Sequence, residues 1–176
     1  LVLSEDGDIL EAGIEIIASD VTIDLNGFEL LGVAGSGSGI LAASTGITGI
    51  TITNGSVRGW GSGGIALASG AVVLSEIRAL NNTGAGITSG TGTTISNCTA
   101  RGNTGAGINC GERSTVFNTT SSANSIHGFV SSNACTFSNC TADSNTGNGF
   151  NVAFFCTISS CVASRNATGI STASKA

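Results

Sequence analysis

The sequence predicts an all-β parallel β-helix, a solenoid in which each coil of the chain stacks on the coil before it. Two recurring elements and one absence support this fold class: a Gly-Ile or Gly-Phe dipeptide, columns of asparagine, and the lack of proline. The dipeptides that mark the repeat begin at positions 13, 39, 64, 86, 107, 128, 149 and 169, in steps of 26, 25, 22, 21, 21, 21 and 20 residues. A nearly fixed period of this size is typical of stacked repeats. The absence of proline fits a backbone whose N–H groups donate to neighbouring coils.

The chain divides into a short leading segment and one repetitive domain. We expect residues 1–12 to form an N-terminal cover on the first coil, with apolar contacts from Leu1, Val2, Leu3, Ile9 and Leu10. Residues 13–176 then form the β-helix, in about seven coils of about 21 to 25 residues. The chain starts at Leu1 and carries no evident C-terminal cap, so we expect it to be an excised segment or to be covered by another molecule.

The middle coils predict three short strands each, because brief alternating stretches are broken by Gly and Asn. Aligning the repeats places like residues above like, as in-register parallel strands about 4.8 Å apart would do. Four inward columns result: Ile95, Val116, Phe137 and Ile158; Cys98, Thr119, Cys140 and Cys161; Ala100, Ser121, Ala142 and Ala163; and Ile108, Phe129, Phe150 and Ile170.

Asparagine marks two corners of each coil. Asn tolerates left-handed backbone geometry, and its amide can bond to the Asn one coil away, so stacked amide ladders are expected to hold the bends. The first column contains Asn54, Asn97, Asn118 and Asn139; the second contains Asn82, Asn103, Asn124, Asn145 and Asn166.

Most of the six cysteines recur at the same period of about 21 residues. Cys135 and Cys156 share a column apart from the one already given, and Cys110 stands alone. No Cys-x-x-Cys pair occurs and the chain has one His, so no zinc set, other metal site or cofactor is predicted. We expect small buried thiols, with a disulfide between adjacent coils such as Cys140–Cys161 as the alternative.

Charge is distributed unevenly along the chain. The formal net charge is −5, and eight of the eleven acidic residues lie in the first 29 positions. From residue 30 onward there are six basic and three acidic residues. No basic cluster favours nucleic acid, and no apolar run is long enough to insert into a membrane.

The repeat resembles right-handed parallel β-helix proteins of the pectate-lyase-like superfamily, especially bacterial β-helix repeats such as the copper-periplasmic-protein-like ones. Residues 20–28 (DVTIDLNGF) and 52–60 (ITNGSVRGW) carry the likeness to the early coils of that family, and it extends over about residues 13–176. The resemblance implies a single-stranded, right-handed parallel β-helix. One such scaffold serves many functions, so activity does not follow from it.

The resemblance also implies what a catalytic member would carry. Lyases of this kind use clustered Asp with calcium and an Arg or Lys base, and hydrolases use several Asp and a Gly-His-Gly motif. Here His127 lacks the first Gly, and the only acids after residue 29 are Glu76, Glu112 and Asp143. Arg101 and Asp143 share a column and are expected to form a surface ion pair at most. No catalytic residue is predicted, and we favour a non-enzyme.

The favoured function is a non-catalytic extracellular or cell-surface scaffold, with the periplasm as an alternative location, assembling end to end into filaments. The first alternative is a module that binds or cleaves polysaccharide, with Trp60, Arg58 and Arg101 as the carbohydrate-binding residues and Trp60 stacking on a sugar ring. The second alternative is ice binding on the outward, unbroken column of Thr94, Thr115, Thr136 and Thr157. In the neighbouring column of serines, Phe117 interrupts the regular surface.

Overall fold

A computed structural model describes residues 2–3 and 11–173, and it consists of two sheets wound around one narrow core. The first sheet, face A, contains the first strand of the chain and the strands that include or directly follow the repeated glycines. In chain-order numbering these are β1 (Val2–Leu3), β2 (Ile14–Glu15), β5 (Ile40–Ala42), β7 (Ile65–Leu67), β9 (Ile87–Ser89), β12 (Ile108–Cys110), β15 (Phe129–Ser131), β18 (Asn148–Val152) and β21 (Thr168–Thr172). Among the described strands of this sheet, β1 pairs with β2 in antiparallel orientation and the other pairs are parallel.

The second sheet bends into two further faces. Its strands are β3 (Thr22–Asp24), β4 (Glu29–Leu31), β6 (Thr51–Arg58), β8 (Val73–Leu80), β10 (Thr94–Ser96), β11 (Thr99–Arg101), β13 (Thr115–Phe117), β14 (Thr120–Ser122), β16 (Thr136–Ser138), β17 (Thr141–Asp143), β19 (Thr157–Ser159) and β20 (Val162–Ser164). Face B comprises β3, β10, β13, β16, β19 and the first halves of β6 and β8. Face C comprises β4, β11, β14, β17, β20 and the second halves of β6 and β8.

The predicted parallel β-helix is therefore confirmed, including the register of its inward columns. Ile95, Val116 and Phe137 are consecutive partners on face B, and Ile108, Phe129 and Phe150 are consecutive partners on face A. All six side chains are fully buried. In the last described coil the same columns are more open, and Ile170 is 50% exposed.

Aromatic side chains fill the core where the coils of residues 127–150 stack. The rings of Phe129 and Phe150 lie parallel, with centroids 4.8 Å apart. Phe137 from face B meets both rings edge-on at 5.7 Å. This arrangement couples opposite walls of the rod through favourable aromatic geometry.

The expected N-terminal cover lies mostly outside the described residues. Its apolar packing by Leu1, Val2, Leu3, Ile9 and Leu10 remains a prediction. The described part is the backbone of β1, where Val2 pairs with Glu15 and Leu3 with Ile14. The division into residues 1–12 and 13–176 also stays a prediction.

Candidate functional site

A polar groove of about 310 Å³ runs along the outer corner where faces B and C meet. It crosses the early coils, and its side chains come from the middle of β6, from β8 and from the β10–β11 corner. The lining residues are Gly27, Asn54, Gly55, Glu76, Arg78, Asn97 and Thr99. The groove offers amide, carboxylate, guanidinium and hydroxyl groups on one surface, so it is the candidate functional site.

The corner exists because one residue in each coil adopts a left-handed conformation. The residues at this bend are Asn54, Glu76, Asn97, Asn118, Asn139 and Ser160, with φ between 51° and 59°. Asn adopts this conformation more readily than most residues, which explains its recurrence there. Glu76 is the exception in the groove, since a long side chain occupies a position at which Asn otherwise recurs. Residues with a strained backbone conformation cluster at functional sites, so the left-handed backbone of Glu76 supports a functional role for the groove.

The groove borders a group of three arginines on face C. Arg78 donates from Nε to Ser56 Oγ at 3.0 Å. Arg58 donates to Glu29 from Nε at 3.0 Å and from Nη2 at 2.7 Å, and these hydrogen bonds lower the pKa of the Glu29 carboxyl. Arg101 is exposed and lies in the column of Arg58, two coils away, with Leu80 between them. The predicted residues Arg58 and Arg101 are thus on one surface, together with Arg78.

Trp60 does not fit the predicted sugar-stacking role. Its side chain is buried, with 7% of the residue exposed, and its Nε1 donates to Leu30 O at 3.1 Å. The ring lies so close to Gly13 and Gly32 that a Cβ on either would be within 2.5 Å of it. Its faces are therefore used for packing, and stacking on a sugar would require the indole to leave the core.

The second asparagine column forms the expected amide ladder. Asn103 Nδ2 donates to Asn124 Oδ1 at 3.0 Å, and Asn124 Nδ2 donates to Asn145 Oδ1 at 2.9 Å. The same pattern joins Asn82 to Asn103 and Asn145 to Asn166. From Asn103 onward, each amide oxygen also accepts the backbone N–H of the preceding Asn, as Asn124 Oδ1 does from Asn103 N at 3.0 Å, whereas Asn82 Oδ1 accepts from Trp60 N at 3.1 Å.

The first asparagine column behaves differently from the prediction. Asn97, Asn118 and Asn139 are exposed, and no amide-to-amide hydrogen bond joins the members of this column in residues 11–173. Their contribution is the left-handed backbone of the bend. Asn54 instead donates from Nδ2 to Asp24 Oδ1 at 3.2 Å. The physical reason is that left-handed residues at an outward corner direct their side chains to solvent.

Two polar residues considered from the sequence have other partners. Asp143 pairs with Arg165, not Arg101, and accepts from its Nε at 2.8 Å. This interaction holds the pKa of the Asp143 carboxyl well below its usual range. His127 accepts a hydrogen bond at Nδ1 from the backbone N–H of Asn148 at 2.9 Å, which links adjacent coils. Neither residue belongs to the groove.

The sequence analysis did not single out Glu76 and Arg78. A signal for Glu76 was available: the first asparagine column skips one coil between Asn54 and Asn97, and Glu76 occupies that gap. Arg78 had no such signal. Its place beside the groove follows from the bend within β8, which turns the two halves of that strand onto different faces.

The threonine column on face B is continuous in register. Thr94, Thr115, Thr136 and Thr157 are consecutive partners, and the column extends back through Val73 to Thr51 and Thr22. In the neighbouring column, Phe117 lies between Ser96 and Ser138, and Ser96 is only 7% exposed. The surface is regular along one column only, and ice binding remains a prediction.

Comparison with known families agrees with this architecture. The family described as "Right handed beta helix region" matches residues 38–176. The chain belongs to the right-handed β-helix family. No curated protein and no solved structure matches it. The family fixes the fold and its handedness, while the ligand and activity of this member have to be argued from its own surface.

The described part of the chain contains no candidate metal centre and no candidate membrane-spanning helix. Within residues 2–3 and 11–173, no group of three or more His, Cys, Asp or Glu is arranged to hold a metal ion. In the same residues, no helix is long and apolar enough to cross a membrane.

Proposed function

We propose that this β-helix is a non-catalytic scaffold at the cell surface or outside the cell. The observation that carries the proposal is that the interior polar side chains form hydrogen bonds within the coil stack. The interior amides of the ladder, together with Thr119 and Ser121, bond to backbone or side chains within the coil stack. A rod bonded in this way is stiff along its axis and presents extended, regular faces, which suits a protein that positions other molecules.

Charge supports the end-to-end part of the proposal. The described acidic residues of the first coil are Glu11, Glu15, Asp20, Asp24 and Glu29, and all are exposed. All the arginines, Arg58, Arg78, Arg101, Arg113 and Arg165, lie on later coils. Contact between the acidic coil of one molecule and the basic coils of another is heterologous, and heterologous contacts that do not close build filaments.

Sedimentation velocity and negative-stain electron microscopy over a concentration series test the assembly. Particles longer than one molecule are expected at low salt, with a shift toward monomers as salt screens the charges. A variant in which Glu11, Glu15 and Asp20 are replaced by Gln, Gln and Asn is expected to remain monomeric. Strictly monomeric wild-type particles at every salt and concentration would contradict filament assembly.

The corner groove favours a second candidate function, the binding of an acidic polysaccharide. Arg78 and Arg101 lie on the face beside the groove, and guanidinium groups recognise carboxylate and sulfate oxygens with directed hydrogen bonds. The amides of Asn54 and Asn97 and the hydroxyl of Thr99 offer donors and acceptors to sugar hydroxyl groups. Trp60 takes no part in this version of the proposal.

A glycan array of acidic and neutral polysaccharides, followed by titration calorimetry on any hit, tests this candidate. Arg78→Ala is expected to weaken binding at least about tenfold, since it removes a charged hydrogen-bond donor. Arg113→Ala is the matched control, because Arg113 is also exposed but lies at the corner between faces A and B. Absence of any bound glycan removes this candidate, and appearance of new reducing ends would show cleavage.

A further inference from the structure

Three cysteines converge inside the corner between faces A and B, in three successive coils. Cys110 ends β12, whereas Cys135 and Cys156 lie in the turns that follow β15 and β18. Cys110 and Cys135 are buried to 1% exposure, and Cys156 is partly exposed. All six cysteines of the chain are free thiols in this structure.

The thiols of Cys110 and Cys135 are diagonal neighbours across this corner. Cys135 Sγ lies 3.1 Å from the carbonyl oxygen of Gly111, the residue that follows Cys110. One coil later, Cys156 Sγ lies 3.3 Å from Ser132 O and 3.6 Å from Ser131 Oγ. Ser131 is the register partner of Cys110, and Cys156 occupies the position of Cys135 one coil later. The contact between Ser131 Oγ and Cys156 Sγ is therefore repeated one coil earlier by the side chains of Cys110 and Cys135.

The two thiols also affect each other's ionisation. The interaction between their side chains lowers the pKa of Cys135 and raises that of Cys110. By contrast, burial raises the pKa of Cys98 to about 11 and that of Cys140 to about 12. Cys135 is therefore the buried thiol that is most easily converted to the nucleophilic thiolate.

A diagonal pair suits a disulfide better than a stacked pair. Cys135 and Cys156 lie directly above each other, as do Cys140 and Cys161, and stacked side chains point in the same direction about 4.8 Å apart. A disulfide needs Cβ atoms about 3.5–4.5 Å apart with side chains that converge. Side chains that meet across a corner satisfy the second condition.

We propose that Cys110 and Cys135 form a disulfide that ties two adjacent coils together when the protein meets a small-molecule disulfide. When this corner opens to the reagent, the Cys135 thiolate attacks it, forms a mixed disulfide and releases one small thiolate. The Cys110 thiolate then attacks the Cys135 sulfur and releases the second small thiolate. Two protein thiols are thus oxidised to one disulfide, while one reagent disulfide is reduced to two thiols.

Equilibration of the folded protein in glutathione buffers of increasing oxidation, followed by acid quenching, alkylation and peptide mass spectrometry, tests the pairing. The expected product has lost two hydrogens and contains a linked Cys110–Cys135 peptide pair. Its Tm is expected to rise by about 5–10 °C, because the bond closes a loop of about 25 residues in the unfolded chain. A fully reduced protein in the most oxidising buffer would overturn the proposal.

Three serine variants identify the pair without disturbing the coil. Cys110→Ser copies its column neighbours Ser89 and Ser131, and Cys135→Ser copies Ser114, so both are expected to fold. Cys110→Ser and Cys135→Ser should each abolish the loss of two hydrogens and the rise in Tm. Cys156→Ser should still show the loss of two hydrogens and the rise in Tm at equilibrium. Loss of the disulfide in Cys156→Ser with its retention in Cys110→Ser would assign the bond to Cys135–Cys156 and reject the proposal.

Discussion

The two asparagine columns share a residue type and nearly the same spacing, but they stabilise the fold in different ways. In the buried column each amide donates and accepts between coils, as Asn124 does with Asn103 and Asn145. In the exposed column, Asn118 supplies a left-handed bend with φ of 51°, and its side chain lies in solvent. The side chain is therefore essential in the first column, whereas the backbone conformation matters in the second.

The largest expected effect comes from breaking the buried ladder. Asn124→Ala removes the acceptor of Asn103 N and Nδ2 and the donors to Ala100 O and Asn145 Oδ1. Because these groups stay buried, we expect a loss of about 3 kcal/mol or more in the free energy of unfolding. Urea denaturation measures it. A loss below about 1 kcal/mol would show that the ladder carries little stability.

A second change tests the ladder by steric displacement. A Cβ on Gly128 would lie 2.6 Å from Gly149 O and 2.8 Å from Asn145 Nδ2, so the repeated glycine exists to let the ladder and the next coil approach. Gly128→Ala is expected to cost about 1–3 kcal/mol by urea denaturation. Gly46→Ala is the control, since its Cβ would meet only Ser44 Oγ at 3.7 Å, and equal losses in both variants would contradict this explanation.

The exposed column should respond to backbone preference alone. Asn118→Ala is expected to cost about 1 kcal/mol, because Ala adopts the left-handed conformation less readily than Asn. Asn118→Gly should change stability by less than about 0.5 kcal/mol, since Gly has no such penalty. Thermal unfolding of both variants checks the order. A loss in Asn118→Gly as large as that of Asn124→Ala would indicate a side-chain role that the column is not expected to have.

Glu76 offers the converse experiment in the same column. Glu76→Asn replaces a strained residue with the one that recurs at this corner, so a gain of up to about 1 kcal/mol is expected in chemical denaturation. If the groove binds an acidic polysaccharide, the same variant should bind it at least as tightly, because it removes a carboxylate that repels the ligand. Decreased stability would mean that Glu76 makes compensating contacts.

The smallest expected effect concerns an outward ion pair that belongs to neither asparagine column. The pKa of Asp143 is lowered by its hydrogen bonds to Arg165, so the pair adds stability above the carboxyl's ordinary pKa of 3.8 and loses it as pH falls. Wild type should therefore have a slightly higher Tm than Asp143→Asn at pH 7, and the difference should shrink progressively as pH falls from the ordinary pKa toward the lowered one. A difference that grows on acidification would contradict this sign.

Most of the fold could be predicted because a solenoid repeats the same contacts at a fixed interval. The inward positions of Ile95, Val116 and Phe137 follow from the 21-residue period, and the structure pairs them in that order. The candidate site was harder to predict. Trp60 is flanked by Gly59 and Gly61 and looked available, but its ring packs against Gly13 and Gly32, which lie far from it in the sequence.

The sequence by itself determined the repeat, the class of fold and the columns, because period and residue type are sufficient when each coil contacts only its neighbours. Tertiary structure alone decided which asparagines face inward, that Arg165 rather than Arg101 pairs with Asp143, and that Cys110 meets Cys135 across a corner. These outcomes depend on the direction of side chains at bends. That direction is fixed by the angle between neighbouring faces, and the period along the chain does not contain it.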